Sequence, residues 1–247
     1  MADRCELLLS CEQLVIGHGA RALLPPIELR VTRGSLVVVV GRNGAGKSTW
    51  LRTVLGLLPP LAGRCALAHP QLKLAYVPQA IQLDPALPVR AREVVMWSRL
   101  RGLDFLRPWA RASDVRACEA ALAAAGALEL ADQPLRDLSE GQKQRVYFAR
   151  MLAAEADLAL LDEPTAAMDA VAQRDAFARL AALARERRMA IVVVTHALDA
   201  AARHASQLLF LDREHGLALS GAPSEVLAHP VLVAQYGQAP ATERAHG

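Results

Sequence analysis

The sequence predicts an α/β fold built on a mainly parallel sheet, and three observations carry that reading. Apolar runs at Leu36–Val40, Leu158–Leu161 and Ala190–Val194 lack polar alternation, as strands buried on both faces do. Each run leads directly into a polar cluster, and helical stretches separate the later runs. Hydrophobic residues make up 53% of the chain, largely through alanine, which suits helices. A chain of 247 residues buries a large core and fits one domain with a sizeable insert.

Residues 1–35 read as β-structure. Strands are expected at Leu7–Ser10, Gln13–Ile16 and Ile27–Val31, with turns at Gly17–Gly19, Pro25–Pro26 and Arg33–Gly34. The buried strand Leu36–Val40 follows, then glycine-rich turns and a helix over Ser48–Leu58 that Pro59-Pro60 ends. Lys73–Val77 is a further strand, closed by Pro78 and Gln79.

From Ala80 to about Asp137 the β-branched runs disappear, and residues 80–137 read as an inserted helical subdomain. Its helices are Arg92–Leu100 and Ser113–Ala125, the second with Ser113 as N-cap and Gly126 at its C-terminal end. The α/β pattern resumes over residues 138–247. Helices are expected at Gly141–Ala154, Ala170–Arg188, Leu198–His204 and Ser224–Leu227. The last two strands, Gln207–Leu211 and Leu217–Ser220, flank a turn at His215-Gly216.

Chemistry collects behind three of the strands. GRNGAGKST, comprising Gly41, Arg42, Asn43, Gly44, Ala45, Gly46, Lys47, Ser48 and Thr49, has the G-x-x-x-x-G-K-[ST] spacing of a phosphate-binding loop. Gly41 and Gly46 let the backbone aim successive N–H groups at one point. Lys47 adds a full positive charge at the start of a helix, and Ser48 offers a hydroxyl to Mg²⁺. A chance glycine-rich turn is the alternative; the strand before and the helix after argue against it. Asp162-Glu163 follows Leu158–Leu161, and Thr195-His196 follows Ala190–Val194. In an open parallel sheet, ligands bind outside the carboxyl ends of the strands, so parallel neighbours would bring all three clusters to one rim. There Asp162 would hold Mg²⁺ through its water shell. Glu163 would act as general base, a role that contributes about 10²–10⁴-fold. His196 would contact the γ-phosphate and the attacking water.

Charge and cysteine usage narrow the classes. A net charge of +3 gives no argument for nucleic acid. Between Arg90 and Arg116, seven arginines face three acidic residues, so this segment carries more positive charge than the whole chain. Trp97, Phe105 and Trp109 lie among them, which suits a membrane-partner or anionic-lipid surface; a solvated helical face with its own aromatic packing is the alternative. The four cysteines (Cys5, Cys11, Cys65, Cys118) lack metal-site spacing and read as reduced thiols. Neither a membrane-spanning run nor a secretion signal is expected from the sequence.

These motifs are ordered as in the nucleotide-binding subunits of ABC transporters, which the sequence resembles along essentially its whole length. GRNGAGKST (41–49) is similar to Walker A, YVPQ ending in Gln79 to the Q-loop, and LSEGQ (138–142) to the LSGGQ signature. LALLDEP (158–164) is similar to Walker B, TAAMD (165–169) to the D-loop, and His196 to the switch histidine. The resemblance implies a P-loop NTPase core with an N-terminal antiparallel β-subdomain and an inserted α-helical subdomain, in one ABC ATPase domain over 1–247. It implies ATP and Mg²⁺ as cofactors, with Ser48, Gln79 and Asp162 on the metal. It also implies a head-to-tail dimer in which the partner copy supplies Ser139, Gly141, Gln142 and Asp169. Ser139, as cap of the helix beginning near Gly141, would present that helix's free N–H groups to the γ-phosphate.

Three positions depart from the family pattern. Glu140 stands at the second signature position, Trp50 where leucine is common, and His18 where an aromatic ring stacks on adenine. The implied function is ATP hydrolysis powering a transporter from the cytoplasmic face of the cell membrane, docked on integral permease subunits and served by a separate substrate-binding protein. The segment LKLAYVPQAIQLDPALPVRAREVV and the motif GAPSEVL are most similar to ATPases of zinc/manganese-type metal importers. Iron–siderophore or haem importers, and soluble ABC ATPases such as iron–sulfur assembly factors, are the alternatives.

Overall fold

The computed structural model describes residues 6–79, 88–100, 110–166 and 168–237. The chain enters through β1 (Leu7–Val15), which pairs antiparallel with β4 (Ile27–Thr32), while the short β2 (Gly17–His18) and β3 (Arg21–Ala22) form a hairpin between them. β1 is one strand where two were expected. The chain stays paired through a bulge, where Gln13 takes a φ of +48° and the register shifts.

β5 (Leu36–Val40) runs into α1 (Lys47–Val54), which stops four residues short of the expected end. Gly56, with φ of +72°, turns the chain before Pro59-Pro60 is reached, and the Leu57 N–H bonds back to the Arg52 carbonyl. β6 (Ala62–Leu67), unforeseen in the sequence, completes a three-stranded antiparallel sheet in the order β4-β1-β6. Its AGRCAL sequence lacks the β-branched signal because the strand lies on an edge, half-exposed. Gly63 is required there: a Cβ would sit 1.9 Å from the Gln13 carbonyl oxygen at the bulge.

β7 (Leu74–Val77) precedes the helical segment, α2 (Ala91–Met96) with a 3₁₀ turn over 97–99, then α3 (Ala112–Ala124). The N-cap of α3 is Arg111, not Ser113, because the Arg111 carbonyl already accepts from the Asp114 and Val115 N–H groups. Gly126 closes α3 as expected, with φ of +62°. Phe105, Trp109, Arg101 and Arg107 lie outside the described residues. α4 (Glu140–Ala153), β8 (Leu158–Asp162), α5 (Ala170–Glu186), β9 (Ala190–Thr195), α6 (Leu198–Ala202), β10 (Gln207–Asp212), β11 (Leu217–Gly221) and α7 (Pro223–Leu227) follow close to expectation. α8 (Pro230–Tyr236) was not foreseen; it is short and starts directly on a proline.

The main sheet has six strands in the order β11-β10-β5-β9-β8-β7, all parallel except the edge strand β11. Its central strands feed two cores. Leu36, Val38 and Val40 of β5 belong to the core covered by α5 and α6, while Val37 and Val39 belong to the one shared with α1 and the antiparallel sheet. β8, β9 and β10 alternate in the same way, which explains their unbroken apolar sequences. Arg33 links the two sheets, bonding Glu6 at 2.7 Å and Asp157 at 3.1 Å.

Three arginines of the basic segment between Arg90 and Arg116 are held in ion pairs. Arg90 and Arg92 both pair with Asp132, and Arg99 pairs with Asp114 and Glu155 at 2.9 Å each. Arg99 is an internal tie, whereas Arg90 and Arg92 pair on the exposed surface, and Trp97 stays partly exposed.

Candidate functional site

β5, β9 and β8 are parallel neighbours in the sheet, so the polar clusters at their carboxyl ends do meet on one rim. A cavity of about 1410 Å³ opens there. The loop from Arg42 to Thr49 forms its floor, Asp162, Glu163 and His196 one wall, and His18 and Gln79 two further sides. Gly41 lies just behind the loop; a Cβ on it would meet the Leu211 carbonyl oxygen at 2.3 Å, so only glycine lets the loop leave β5 beside β10. Gly46 takes φ of +102° as the N-cap of α1.

Lys47 is 8% exposed and donates from Nζ to the carbonyls of Gly41 (2.6 Å) and Arg42 (3.2 Å). Burial pulls its pKa down, and Glu163 and Asp162 oppose that by favouring the cation. Asp162 is pushed the other way: burial, then the neighbouring Glu163, raises its carboxyl, against Lys47 and Arg52. Such a carboxylate gains most from a cation placed beside it. Ser48, Asp162 and Gln79 present oxygen donors to the same cavity, the hard-ligand chemistry that fits Mg²⁺.

Glu163 sits in the left-handed region with φ of +48°, a strained position costing about 1–3 kcal/mol for a non-glycine residue. Its N–H bonds the Val194 carbonyl at 2.8 Å, which ties the strained residue to β9. The result is a carboxylate whose Oε2 lies 2.8 Å from Nδ1 of His196. The sequence placed both residues on one rim without revealing this pairing, because it depends on the backbone turn at Glu163. His18 also lines the cavity, with Nε2 3.3 Å from Oγ1 of Thr49. Trp50 is fully buried beneath the loop in the core shared with the antiparallel sheet.

Ser139, Gly141, Gln142 and Asp169 do not line this cavity. Ser139 caps α4 with a capping box: its hydroxyl accepts from the Gln142 N–H at 3.3 Å, and Gln142 accepts from the Ser139 N–H at 2.8 Å. Glu140 turns aside to pair with Lys143 at 2.7 Å. A Cβ on Gly141 would meet nothing within 4 Å, so packing in this chain does not require glycine there. Asp169 caps α5, accepting from Val171 (2.9 Å) and Ala172 (2.8 Å). Asp169→Ala should cost about 0.5–2 kcal/mol in denaturant unfolding, and an unchanged midpoint would show that the cap contributes nothing.

Sequence reasoning missed Asp212, Arg213, Glu214 and Tyr236, which also line the cavity. The strand-end argument applied to β10 would have found the first three, since Asp212 directly follows its apolar run. Asp212 gathers the N–H groups of Glu214 and His215, the His215 ring and Gln235, which together hold its pKa below the usual carboxylate range against its burial. Through Gln235 it fixes α8, and so Tyr236, at the cavity mouth.

Among the described residues, no helix is long and apolar enough to cross a membrane. A family model described as ABC transporter matches residues 24–166. The chain is 34% identical over 231 residues to the zinc import ATP-binding protein ZnuC of Yersinia enterocolitica, covering 94% of this chain and 86% of that one. It is 35% identical to the protein of the same name from Halorhodospira halophila, with 93% and 83% covered. Among solved structures, an inward-facing transporter described as of metal-chelate ABC type superposes with a TM-score of 0.80 at 27% identity, covering 93% of this chain and 88% of that one. The ADP form of an ATP-binding cassette, at 21% identity, shares the fold with a TM-score of 0.78, covering 93% and 98%.

Proposed function

The chain belongs to the ABC transporter family as an ATP-binding, ATP-hydrolysing subunit, and on that premise we propose that it powers zinc import across the cell membrane. It does so from the cytoplasmic face, docked on integral permease subunits that receive zinc from a separate binding protein. The relatives named for zinc import, matched over nearly the whole chain, support this cargo over the iron–siderophore and iron–sulfur alternatives.

Within the site, the loop N–H groups and Lys47 hold the phosphates, and Lys47 exchanges its two carbonyl partners for phosphate oxygens. His18 packs against the adenine. Ser48, Asp162 and Gln79 are the residues that would hold Mg²⁺, which when bound neutralises phosphate charge. Glu163 takes the proton of the attacking water, and His196, bonded to it, fixes the carboxylate's direction. Gln79 also borders a small cleft against α4, beside Tyr147 and Phe148.

Two copies stack head to tail, each bringing Ser139, Gly141, Gln142 and Asp169 to the other's phosphate loop. One observation carries this: Lys47, Asp162, Glu163 and His196 share one cavity, while the cap of α4 lies outside it, with open space where a Cβ on Gly141 would project.

Purification of the full-length chain from detergent-solubilised membranes tests the transporter assignment. An integral membrane protein should copurify in comparable amount; a chain recovered without any membrane partner would sink that reading. Cells lacking the chain should also lose zinc uptake and keep iron–siderophore uptake. The reverse pattern would select the alternative cargo.

A further inference from the structure

Two cysteines face each other across the antiparallel sheet, apart from the nucleotide cavity. Cys11 of β1 and Cys65 of β6 are direct register partners, and their sulfurs lie 3.8 Å apart, with the Cys11 thiol donating. The phase of the ladder favours them. The Ala68 N–H bonds the Leu8 carbonyl at 2.9 Å, so alternation places Cys11 and Cys65 at a non-hydrogen-bonded pair. Cα atoms there stand about 4.5 Å apart, within the roughly 4.4–6.8 Å that a disulfide spans.

The two thiols are unequal. Cys11 is fully buried in the core that holds Trp50, whereas Cys65 is half-buried on the edge strand and reaches solvent. The Cys11 hydrogen bond eases ionisation of Cys65, while that donation and burial push Cys11 up. Cys118 lacks this arrangement: burial pushes its thiol up to about 11, and the neighbouring sulfur belongs to Met96.

We propose that Cys11 and Cys65 form a reversible disulfide, a modification site for hydroperoxides. The Cys65 thiolate attacks the peroxide oxygen, the O–O bond breaks, and Cys65 becomes a sulfenic acid with release of water or an alcohol. The Cys11 sulfur then attacks the Cys65 sulfur and gives up its proton, and the hydroxyl leaves as water. Each sulfur is oxidised by one electron, and the peroxide takes up two. Excess thiol reductant reverses the bond, as suits a transient intracellular disulfide. The bond would tie β1 to the edge strand beside the core under α1.

The test treats the full-length wild-type protein with limiting hydrogen peroxide, then alkylates the remaining thiols under denaturing conditions for mass analysis. Two of the four cysteines should be lost, a non-reduced peptide should join Cys11 to Cys65, and dithiothreitol should restore both thiols. The oxidised form should melt at a higher temperature than the reduced form, because the link constrains the unfolded chain. Cys118→Ser should oxidise as wild type does. Accumulation of Cys65 sulfinate without a link, or a link through Cys5 or between chains, would overturn the proposal.

Discussion

Glu163→Gln lowers kcat for ATP hydrolysis by about 10²–10⁴-fold, the contribution expected of a positioned general base, and leaves ATP binding intact. The substitution keeps side-chain volume and retains a polar group within reach of Nδ1 of His196, where the carboxylate now sits at 2.8 Å. It also leaves the backbone device untouched, since the φ of +48° and the N–H bond to the Val194 carbonyl do not involve the side chain. What would be lost is the proposed acceptor of the water's proton. Steady-state phosphate release checks this, and a wild-type rate in the variant would rule Glu163 out as the base.

Lys47→Ala weakens ATP binding by roughly 10- to 140-fold, the equivalent of one charge-assisted hydrogen bond of about 1.5–3 kcal/mol. The Lys47 ammonium donates to the Gly41 and Arg42 carbonyls of its own loop. Phosphate oxygens offer it opposite charge in a site where burial already disfavours the lone cation. Removing it frees two carbonyls beside an open, water-accessible cavity, so folding is little affected. Titration with a fluorescent ATP analogue reads the change. Unchanged affinity would mean that the loop is not the nucleotide site.

The parts of the fold that were legible in the sequence are those whose burial forces an unbroken apolar pattern. β5, β8 and β9 each serve two cores, and no polar residue interrupts them until the strand ends where the chemistry begins. β6 escaped because an edge strand buries little, and the reason for Gly63 is the Gln13 carbonyl, about fifty residues away in sequence. The Glu163–His196 pair escaped because a single left-handed residue creates it. Part of the pairing of the basic segment was hidden for a similar reason: Asp132 and Glu155, which pair with Arg90, Arg92 and Arg99, lie outside it. Asp212 was within reach of the strand-end argument, whereas Tyr236 rides on a helix of seven residues that gave little signal.

We propose that each nucleotide site is shared between two copies of the chain. Sedimentation of Glu163→Gln protein, alone and combined with Gly141→Asp, measures this most directly. A carboxylate in the first turn of α4 suits that helix's own dipole, and its Cβ meets no intrachain neighbour, so the double variant should fold and bind ATP while repelling a partner's phosphates. With ATP and Mg²⁺, the Glu163→Gln chain should sediment at twice its 26.5 kDa mass, and the double variant should remain a monomer. An ATP-bound Glu163→Gln chain that stays at 26.5 kDa, or a dimer indifferent to Gly141→Asp, would rule out a shared site.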